Sequence, residues 1–556
     1  MKKLGVSLLM LVLVASMLLS ACSDNTGGKE NNQKEDPANT GTESGLSEPG
    51  VLPITKEKTT ITITIPRDPT VTSYEYGENE LTTWLEDQTN VHIEWNLYPS
   101  ADSIEKLNLE LSSGGDLGDL IMGFPGIDNA MLASYGSQGV FRDLRDLIDK
   151  NGANIKKLFE DIPEMEPSTT APDGNIYALN AVGECYNCDR AMRFWVNKKF
   201  LEALNMPVPT TTDELYRYLK AVKETDLNGN GKKDEIPMVG STQSWFATVD
   251  DFIMNAFTYQ DSNNLYVKDH KISAAYTTPE WREGLRFLNK LYAEGLIDPS
   301  SFTNDENQMR QLVELNDGNT VGAVPGGGQH VFAANDSTKM NYEIVLPLKG
   351  PNGFQNAYFN QYGKISNPMF MLPANGKNAD IVMKLVDLMY SHEFFLRNRY
   401  GVQGKHWDKP AAGTAAANGG EAQYKILGKD LWQEPQQVHW HGIGGAWPPF
   451  GSDAREALPE GQFDLESELY KAAAEYDKFA ARITTPKFFF DNETAKRWNE
   501  LKTEINKIVS ESTADFIVGN RNIEKDWDQF QKELKSIGVD EFITIMQKEY
   551  DGKWKS

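Results

Sequence analysis

The chain has 556 residues, a formal net charge of −25 at pH 7 and 40% hydrophobic residues. This length exceeds what one hydrophobic core usually organises, so we expect two or more lobes. The excess of acidic residues argues against a nucleic-acid partner, because a phosphate backbone requires a basic surface.

Residues 1–21 have the pattern of an export signal. Lys2 and Lys3 precede an apolar run over residues 8–19, which is too short to act as a membrane-spanning stop-transfer helix. The run ends in Leu-Ser-Ala-Cys, which resembles the lipobox of bacterial lipoproteins. The resemblance implies that Cys22 is lipidated and anchors the protein on the extracellular face of the cell membrane. The alternative is a plain secretory signal with an incidental cysteine.

The composition of residues 22–58 predicts a disordered tether. The segment is rich in Asn, Gly, Glu, Thr, Ser and Pro and has few large apolar side chains. Such a composition does not bury enough apolar surface to offset the entropy of ordering the chain. A flexible tether would let a folded body reach away from the membrane.

Strand-like and helix-like patterns alternate after the tether. Residues 61–65 and 91–95 alternate between apolar and polar side chains, which predicts strands, and a helical pattern lies between them at 80–88. A helix around Leu107 and a strand at 119–123 follow. This order predicts an α/β fold with parallel strands joined by right-handed crossovers.

Residues 226–237 have the spacing of a calcium-binding loop. Oxygen-bearing side chains fall at alternate positions, a glycine takes the sixth position, and two carboxylates take the ninth and tenth. Pro237 stands at position twelve, where a sensor EF-hand has a bidentate Glu, so we expect no EF-hand helix pair. A solvated turn rich in Asn and Gly is the alternative. The side chains in this pattern are Asp226, Asn228, Asn230, Asp234 and Glu235.

The block at 209–237 resembles the signature of extracellular solute-binding lipoproteins of sugar ABC transporters, especially LplA/LipO-like and alginate-binding members. Further segments that resemble this family lie at 106–121, 143–148, 172–179 and 516–547, so the likeness spans nearly the whole chain. It implies a type II periplasmic-binding-protein-like fold. Two hinged lobes, each a mostly parallel sheet flanked by helices, would carry a helical C-terminal region.

The resemblance also implies lobe boundaries, a metal site and a partner. The first lobe is predicted to comprise 59–178 and 338–402, and the second 179–337 and 403–556 with the calcium loop. The implied partner is an ABC transporter permease, and the implied metal is a structural Ca²⁺. Its implied ligands are Asp226, Asn228, Asn230, the backbone carbonyl of Lys232, Asp234 and Glu235.

The three cysteines of the chain are Cys22, Cys185 and Cys188. With Cys22 lipidated, a local disulfide between Cys185 and Cys188 is the prediction for a protein outside the membrane. Zinc would need two further ligands that the sequence does not identify. A thioredoxin-like role would need a βαβ context that is absent around this pair.

No enzyme motif stands out. The sequence lacks the G-x-S-x-G and H-E-x-x-H patterns, and His439 with His441 has no assignable third metal ligand. The 80 acidic residues do not single out a glycosidase pair. We therefore predict a protein that is not an enzyme. A surface-anchored polysaccharide-degrading enzyme is the alternative, and a surface adhesion or sensor module is a third possibility.

A sugar-binding cleft needs flat aromatic faces and planar polar groups. The chain has 12 Trp and 21 Tyr, and those in loops after strands are best placed to line a cleft. Tryptophans on amphipathic helices, among them Trp498, are expected in the core. The predicted ligand-binding residues are Tyr74, Tyr76, Asp119, Trp245, Phe246, Gln329, Trp407, Trp440 and Trp447. The sequence thus predicts a monomeric, lipid-anchored protein that captures an oligosaccharide between two lobes and delivers it to a permease.

Overall fold

The computed structural model describes residues 45–99, 102–183, 185–428, 431, 435–445, 455–458 and 464–555. The predicted export signal, Cys22 and Trp447 lie outside these residues. Among the helices that the structure describes, none is long and apolar enough to cross a membrane.

Strands and helices alternate along the described residues. The strands are β1 (Thr59–Pro66), β2 (Val91–Tyr98), β3 (Leu120–Met122), β4 (Leu179–Val182), β5 (Phe194–Asn197), β6 (Ile236–Met238), β7 (Leu265–Lys268), β8 (Lys271–Ala274), β9 (Val321–Pro325), β10 (Tyr342–Val345), β11 (Ile365–Met371), β12 (Trp407–Asp408) and β13 (Lys425–Ile426). The helices are α1 (Glu80–Thr89), α2 (Ser103–Ser113), α3 (Asn129–Ser137), α4 (Arg145–Asn151), α5 (Ala153–Asp161), α6 (Met165–Thr169), α7 (Lys198–Leu204), α8 (Thr212–Glu224), α9 (Asp251–Met254), α10 (Pro279–Ala293), α11 (Glu306–Glu314), α12 (Gln329–Phe332), α13 (Asp336–Met340), α14 (Ala379–Met389), α15 (His392–Tyr400), α16 (Leu465–Tyr476), α17 (Asn492–Val518), α18 (Trp527–Ile537) and α19 (Val539–Lys553).

A five-stranded sheet in the order β2-β1-β3-β11-β4 forms the first lobe. The alternating sequence of β1 places Ile61, Ile63 and Ile65 on one face, where they pack with Leu81 and Leu85 of α1 in one core cluster. Helices α2 and α3 contribute to a second cluster with residues of β3 and β11. The sheet is thus covered on both faces, as an α/β lobe requires.

A four-stranded sheet in the order β10-β5-β9-β6 forms the second lobe. Its core includes apolar residues of α8, α10 and the C-terminal helices α17, α18 and α19. The predicted apolar face of α18 is confirmed, because Trp527, Phe530 and Leu534 are buried there. The two sheets with their helices confirm the predicted two-lobed α/β architecture.

The strand pairing in both sheets is mixed. In the first sheet β1 runs parallel to β2 and β3, whereas β11 runs antiparallel to β3 and β4. In the second sheet β6 runs parallel to β9, whereas β5 runs antiparallel to β9 and β10. The antiparallel pairs involve the strands through which the chain leaves or enters a lobe. Both sheets therefore contain fewer parallel strand pairs than the mostly parallel sheets that we predicted.

The chain crosses between the lobes at positions that differ from the predicted boundaries. Strand β4 belongs to the first sheet and β10 to the second. The first crossing segment is therefore 183–193 and the second is 346–364, rather than junctions at 178 and 337. Residues around Trp440, which we assigned to the second lobe, pack in the first-lobe core instead.

The folded first lobe includes residues that precede residue 59. Ile54 is 2% exposed within the first-lobe core, and the backbone N–H of Thr55 donates to the carbonyl of Thr89 at 3.3 Å. Leu46 forms a bridge with Thr55. Residues 46–58, which we predicted as tether, are therefore part of the folded body, because the apolar side chain of Ile54 is buried against it.

Candidate ligand-binding cavity between the lobes

The carboxyl ends of the parallel strands lie beside the crossing segments in both lobes. In the first sheet, Ile365 at the start of β11 pairs with Val182 at the end of β4. In the second sheet, Phe194 at the start of β5 pairs with Pro325 at the end of β9. The loops after β3, β6 and β9 therefore lie at this edge, which is where open α/β sheets bind ligands.

A cavity of about 380 Å³ lies between the lobes at this edge. The loop before α3 and the start of β11 line it from the first lobe, and α17 lines it from the second. The second crossing segment and a third segment, 477–490, line it as well. Its amide side chains include Asn129, Asn180, Asn263, Asn360, Asn499 and Asn506, and its aromatic rings include Tyr362, Phe488 and Trp498.

Polar contacts fix the walls of this cavity. The Lys487 ammonium donates to the carbonyl of Ile365 at 2.6 Å, and burial lowers the pKa of Lys487. The Asn129 amide donates to the carbonyl of Phe488 at 3.2 Å, which links the first lobe to the third segment. The cavity thus combines amides, aromatic faces and the ammonium groups of Lys487 and Lys502.

An aromatic group lies in the loops after β6 and β9. The rings of Trp245 and His330 are 5.9 Å apart, and those of Phe246 and Tyr358 are 5.1 Å apart. Gly327 donates its N–H to the carbonyl of Trp245 at 3.0 Å, and a Cβ at Gly327 would lie 2.2 Å from the Trp245 ring. Phe246 has φ of 49°, a left-handed conformation that non-glycine residues adopt mainly at functional or tightly constrained sites.

Two arginines hold the crossing segments in place. Arg193 is fully buried and donates to the carbonyls of Gly327 and Asn187. Burial lowers the pKa of Arg193 to about 10. The Arg190 guanidinium lies 4.4 Å from the ring centre of Phe359 and so joins the first crossing segment to the second. The loop that supports Trp245 is therefore tied to the connection between the lobes.

Three predicted ligand-binding residues belong to the core of the protein. Trp440 is fully buried and its indole N–H donates to the Thr82 hydroxyl at 2.9 Å. Trp407 is 4% exposed and donates to the carbonyl of Gly401 at 3.1 Å. Tyr74 is 1% exposed and its hydroxyl accepts from a backbone amide. Because these side chains are enclosed and paired, we correct their assignment from ligand-binding to structural.

The other predicted positions differ in their surroundings. Asp119 accepts hydrogen bonds from backbone amides at the amino end of β3, so it is a structural cap at the opposite edge of the sheet. Tyr76 is exposed and donates to the Asp87 carboxylate at 3.0 Å. Gln329 is buried after β9, and its side-chain oxygen has no hydrogen-bond partner. Ligand contacts by Trp245, Phe246, Gln329 and the undescribed Trp447 stay a prediction.

The cavity residues were missed at the sequence level. Of the nine predicted ligand-binding residues, none of the eight that the structure describes lines the inter-lobe cavity. Its asparagines are scattered over loops and helices, so no spacing pattern connects them. The one available signal is the run of Asn, Ser and Gln residues at 356–367, close to the predicted return between lobes.

The loop at 226–237 has the hydrogen bonds of a tight polar turn. The Asp226 carboxylate accepts from three backbone N–H groups of the loop, and Asn230 donates to the Asp234 carboxylate at 3.0 Å. Glu235 accepts from two backbone N–H groups, while its second oxygen is buried without a partner. No group of three or more His, Cys, Asp or Glu side chains suited to a metal is found among the described residues.

The predicted pair Cys185 and Cys188 forms a disulfide in the structure. The disulfide lies in the first crossing segment. Cys188 begins a short 3₁₀ turn, Cys188–Arg190, and Ala191 follows this turn. The disulfide closes a short local loop beside the connection between the lobes.

Two α/β lobes, joined by crossing segments and enclosing a cavity at the carboxyl ends of their strands, define a two-lobed binding protein. The chain belongs to the family of bacterial extracellular solute-binding proteins, whose family model matches residues 68–394. The family predicted from the sequence is thereby confirmed.

Two relatives with longer matches are named as carbohydrate-binding proteins. The fructooligosaccharide ABC transporter substrate-binding protein FusA of Streptococcus pneumoniae is 28% identical over 500 residues, which cover 87% of this chain and 88% of FusA. The polygalacturonan/rhamnogalacturonan-binding protein YtcQ of Bacillus subtilis is 23% identical, over 85% of this chain and 87% of YtcQ.

A solved structure of FusA in complex with kestose has a TM-score of 0.68 and 26% identity, and the match covers 89% of this chain and 99% of that chain. A second FusA structure, of an EF-hand mutant with fructo-nystose, has the same TM-score and coverage at 25% identity. These likenesses agree with the two-lobed fold.

Proposed function

We propose that this chain captures an oligosaccharide in the cavity between its lobes and delivers it to an ABC transporter permease. The observation that carries the proposal is the composition of the cavity, where asparagine amides from both lobes adjoin aromatic rings. Amide groups form hydrogen bonds with sugar hydroxyls, and aromatic faces pack on the apolar faces of sugar rings. The fructooligosaccharide named for FusA supports an oligosaccharide solute, and the polygalacturonan/rhamnogalacturonan named for YtcQ supports a carbohydrate more broadly.

Binding would close the lobes around the sugar. A ligand that contacts both lobes favours the closed arrangement by its additional contacts, as in periplasmic binding proteins. The described crossing segments are the parts of the chain that would bend. We further propose that bound sugar is released unchanged, so the protein is a binding protein without turnover.

Calorimetric titration of the mature chain with a panel of oligosaccharides tests this proposal. Asn263 and Asn506 line the cavity, are exposed and have no side-chain hydrogen bond in the structure, so alanine at either position should weaken binding about tenfold without unfolding the protein. Asn108→Ala on α2, outside the cavity, is the matched control. Sugar cleavage during the titration would instead favour the polysaccharide-degrading enzyme.

We propose that the loop at 226–237 holds a structural Ca²⁺. The ligands would be the side chains of Asp226, Asn228, Asn230, Asp234 and Glu235 together with the backbone carbonyl of Lys232. The residues fit such an ion: oxygen donors dominate the loop, and the partnerless buried oxygen of Glu235 is an acceptor that a cation would satisfy. The EF-hand named in the FusA mutant supports the proposal. The ion would neutralise the loop carboxylates and stabilise the second lobe.

We propose that Cys22 anchors the protein to the extracellular face of the cell membrane. The lipobox-like Leu-Ser-Ala-Cys motif and the family's extracellular character support this location. Metabolic labelling with palmitate should mark the wild-type protein at the membrane. Cys22→Ser should lose the label and release the protein into the medium, and a membrane-bound, labelled Cys22→Ser protein would contradict the anchor.

A further inference from the structure

A second cavity, of about 270 Å³, adjoins the inter-lobe cavity. The two cavities share the lining residues Ser262, Asn263 and Asn506. Asp250 and Asp251, at the start of α9, line the second cavity, and the last three turns of α17 line it as well. An oligosaccharide that extends from the first cavity along α17 would therefore reach these two carboxylates.

The two carboxylates of the second cavity lack a cationic partner, and the hydroxyl of Thr513 in its lining has no hydrogen-bond partner. No described Lys, Arg or His side chain lies within ion-pair distance of the carboxylates of Asp250 and Asp251. Thr513 of α17 lines the same cavity, is 8% exposed, and its hydroxyl has no hydrogen-bond partner. Because buried polar groups are normally paired, this combination is expected where a bound ligand completes the hydrogen bonds.

We propose that Asp250 and Asp251 form a subsite that holds an uncharged sugar unit by its hydroxyls and rejects a uronate unit at that position. The inference rests on the proposed oligosaccharide-binding function and specifies the class of sugar. Ionised carboxylates accept strong hydrogen bonds from hydroxyls. A uronate carboxylate would add a third negative charge in a cavity where water screens it little, which opposes binding.

The distribution of charge around the two cavities agrees with this assignment. Lys487 and Lys502 line the first cavity and not the second. Burial and, to a smaller extent, the charge of Asp250 together raise the pKa of Asp251 to about 7, and burial also raises the pKa of Asp250. The charge of Asp250 thus already disfavours that of Asp251, and no Lys, Arg or His among the described residues lines the cavity to accommodate another negative charge.

Calorimetric titration of the mature chain tests the subsite. The probes are neutral oligosaccharides, including kestose and arabinan-, xylan- and mannan-derived trisaccharides, and the acidic trigalacturonate. Wild type should bind a neutral sugar at least 100-fold more tightly than trigalacturonate at pH 7.5. The double variant Asp250→Asn/Asp251→Asn should bind that neutral sugar at least tenfold more weakly and reduce the discrimination against trigalacturonate. Glu202→Gln, which removes one exposed charge on α7, should behave as wild type.

The outcomes separate this inference from the proposed function. Neutral-sugar binding that is unchanged in the double variant would overturn the subsite and leave the proposed function standing. Wild-type binding of trigalacturonate as tight as that of the neutral sugar would do the same. Absence of binding to every sugar would contradict both. Because Asn replaces Asp at nearly equal volume, the melting profile of the variant shows directly that it is folded.

Discussion

Arg193 donates a hydrogen bond to the carbonyl of Gly327 and thereby joins the first crossing segment to the loop that supports Trp245. A second hydrogen bond from Arg193 reaches the carbonyl of Asn187 within the crossing segment. The guanidinium is fully buried. The loop after β9 and the connection between the lobes are therefore held by one side chain, which gives the aromatic group after β6 a fixed position.

Substitution of Arg193 should affect both stability and binding. Arg193→Met leaves the carbonyl of Gly327 without a donor and removes one of the two donors to the carbonyl of Asn187, so we expect a loss of about 2–4 kcal/mol in the free energy of unfolding. Sugar affinity should fall with it, because the loop under Trp245 loses its support. Arg193→Lys should recover only part of each loss, since an ammonium lacks the planar fork that reaches both carbonyls.

Denaturant unfolding and titration of the same variants measure these effects. Arg217→Met is the control, because its guanidinium is 67% exposed and pairs only with Asp213 one helical turn away. It should change stability by less than about 1 kcal/mol. Full recovery of stability and affinity by Arg193→Lys would show that charge alone, without the forked hydrogen bonds, supports the loop.

Two tryptophans should respond in opposite ways to replacement by alanine. Trp440 is enclosed in the first-lobe core, so Trp440→Ala should destabilise the protein by about 3–5 kcal/mol while the folded fraction binds sugar normally. Trp245 is half-buried at the edge where the lobes meet, so Trp245→Ala should weaken binding with a smaller loss of stability. Thermal unfolding and calorimetry on both variants check this contrast, and a normal affinity for Trp245→Ala would remove Trp245 from the site.

Much of the fold followed from periodicity. The alternation at Ile61, Ile63 and Ile65 and the helical face of Trp527, Phe530 and Leu534 are local patterns, and each is buried as predicted. The boundary strands β4 and β10 were assigned to the wrong lobes because a short apolar strand does not specify its neighbours in a sheet. Pairing of that kind depends on contacts between segments distant in sequence.

The site was less predictable than the fold. Trp440 and Trp245 both follow loop-like sequence, yet one donates to Thr82 in the core and the other lies by the crossing segments. Conversely, Trp498 lies on an amphipathic helix, for which we expected a core position, and it lines the cavity. Whether an aromatic residue faces a cavity depends on how whole lobes meet, and single-residue context does not carry that information.

Removal of calcium should destabilise the second lobe. A ligand that binds only the folded state stabilises it by about 2.7 kcal/mol at a concentration 100 times its Kd. The melting temperature should therefore fall when EGTA replaces calcium, and Asp226→Ala should melt at the lower temperature in either buffer. Asn319→Ala, outside the loop, should keep the response to EGTA. Equal melting temperatures with calcium and with EGTA would exclude a stabilising calcium ion.

The carboxylate pair should make stability depend on pH. The pKa of Asp251 is raised from 3.8 to about 7 in the folded protein, so between these values the folded state binds more protons than the unfolded state. The free energy of unfolding contributed by this group therefore falls as pH rises from about 4 to 7 and changes little above 7.

Asp251→Asn should remove this loss of stability. The variant should melt at a higher temperature than wild type at pH 7.5, and the two should melt together at pH 4. Glu202→Gln provides the matched control, because its charge is exposed. A melting temperature that falls at pH 7.5 in Asp251→Asn would show that the ionised carboxylate stabilises the folded protein, which contradicts the raised pKa.

The most direct test of the account is calorimetric titration of the mature chain, without its lipid, against neutral and acidic oligosaccharides, with each sugar analysed afterwards for cleavage. We expect one-to-one binding of a neutral oligosaccharide, recovery of the sugar intact, and a roughly tenfold loss of affinity in Asn263→Ala and Asn506→Ala but not in Asn108→Ala. Absence of binding to every sugar, or binding that is unaffected by the two cavity substitutions, would contradict the assignment of the inter-lobe cavity as an oligosaccharide site.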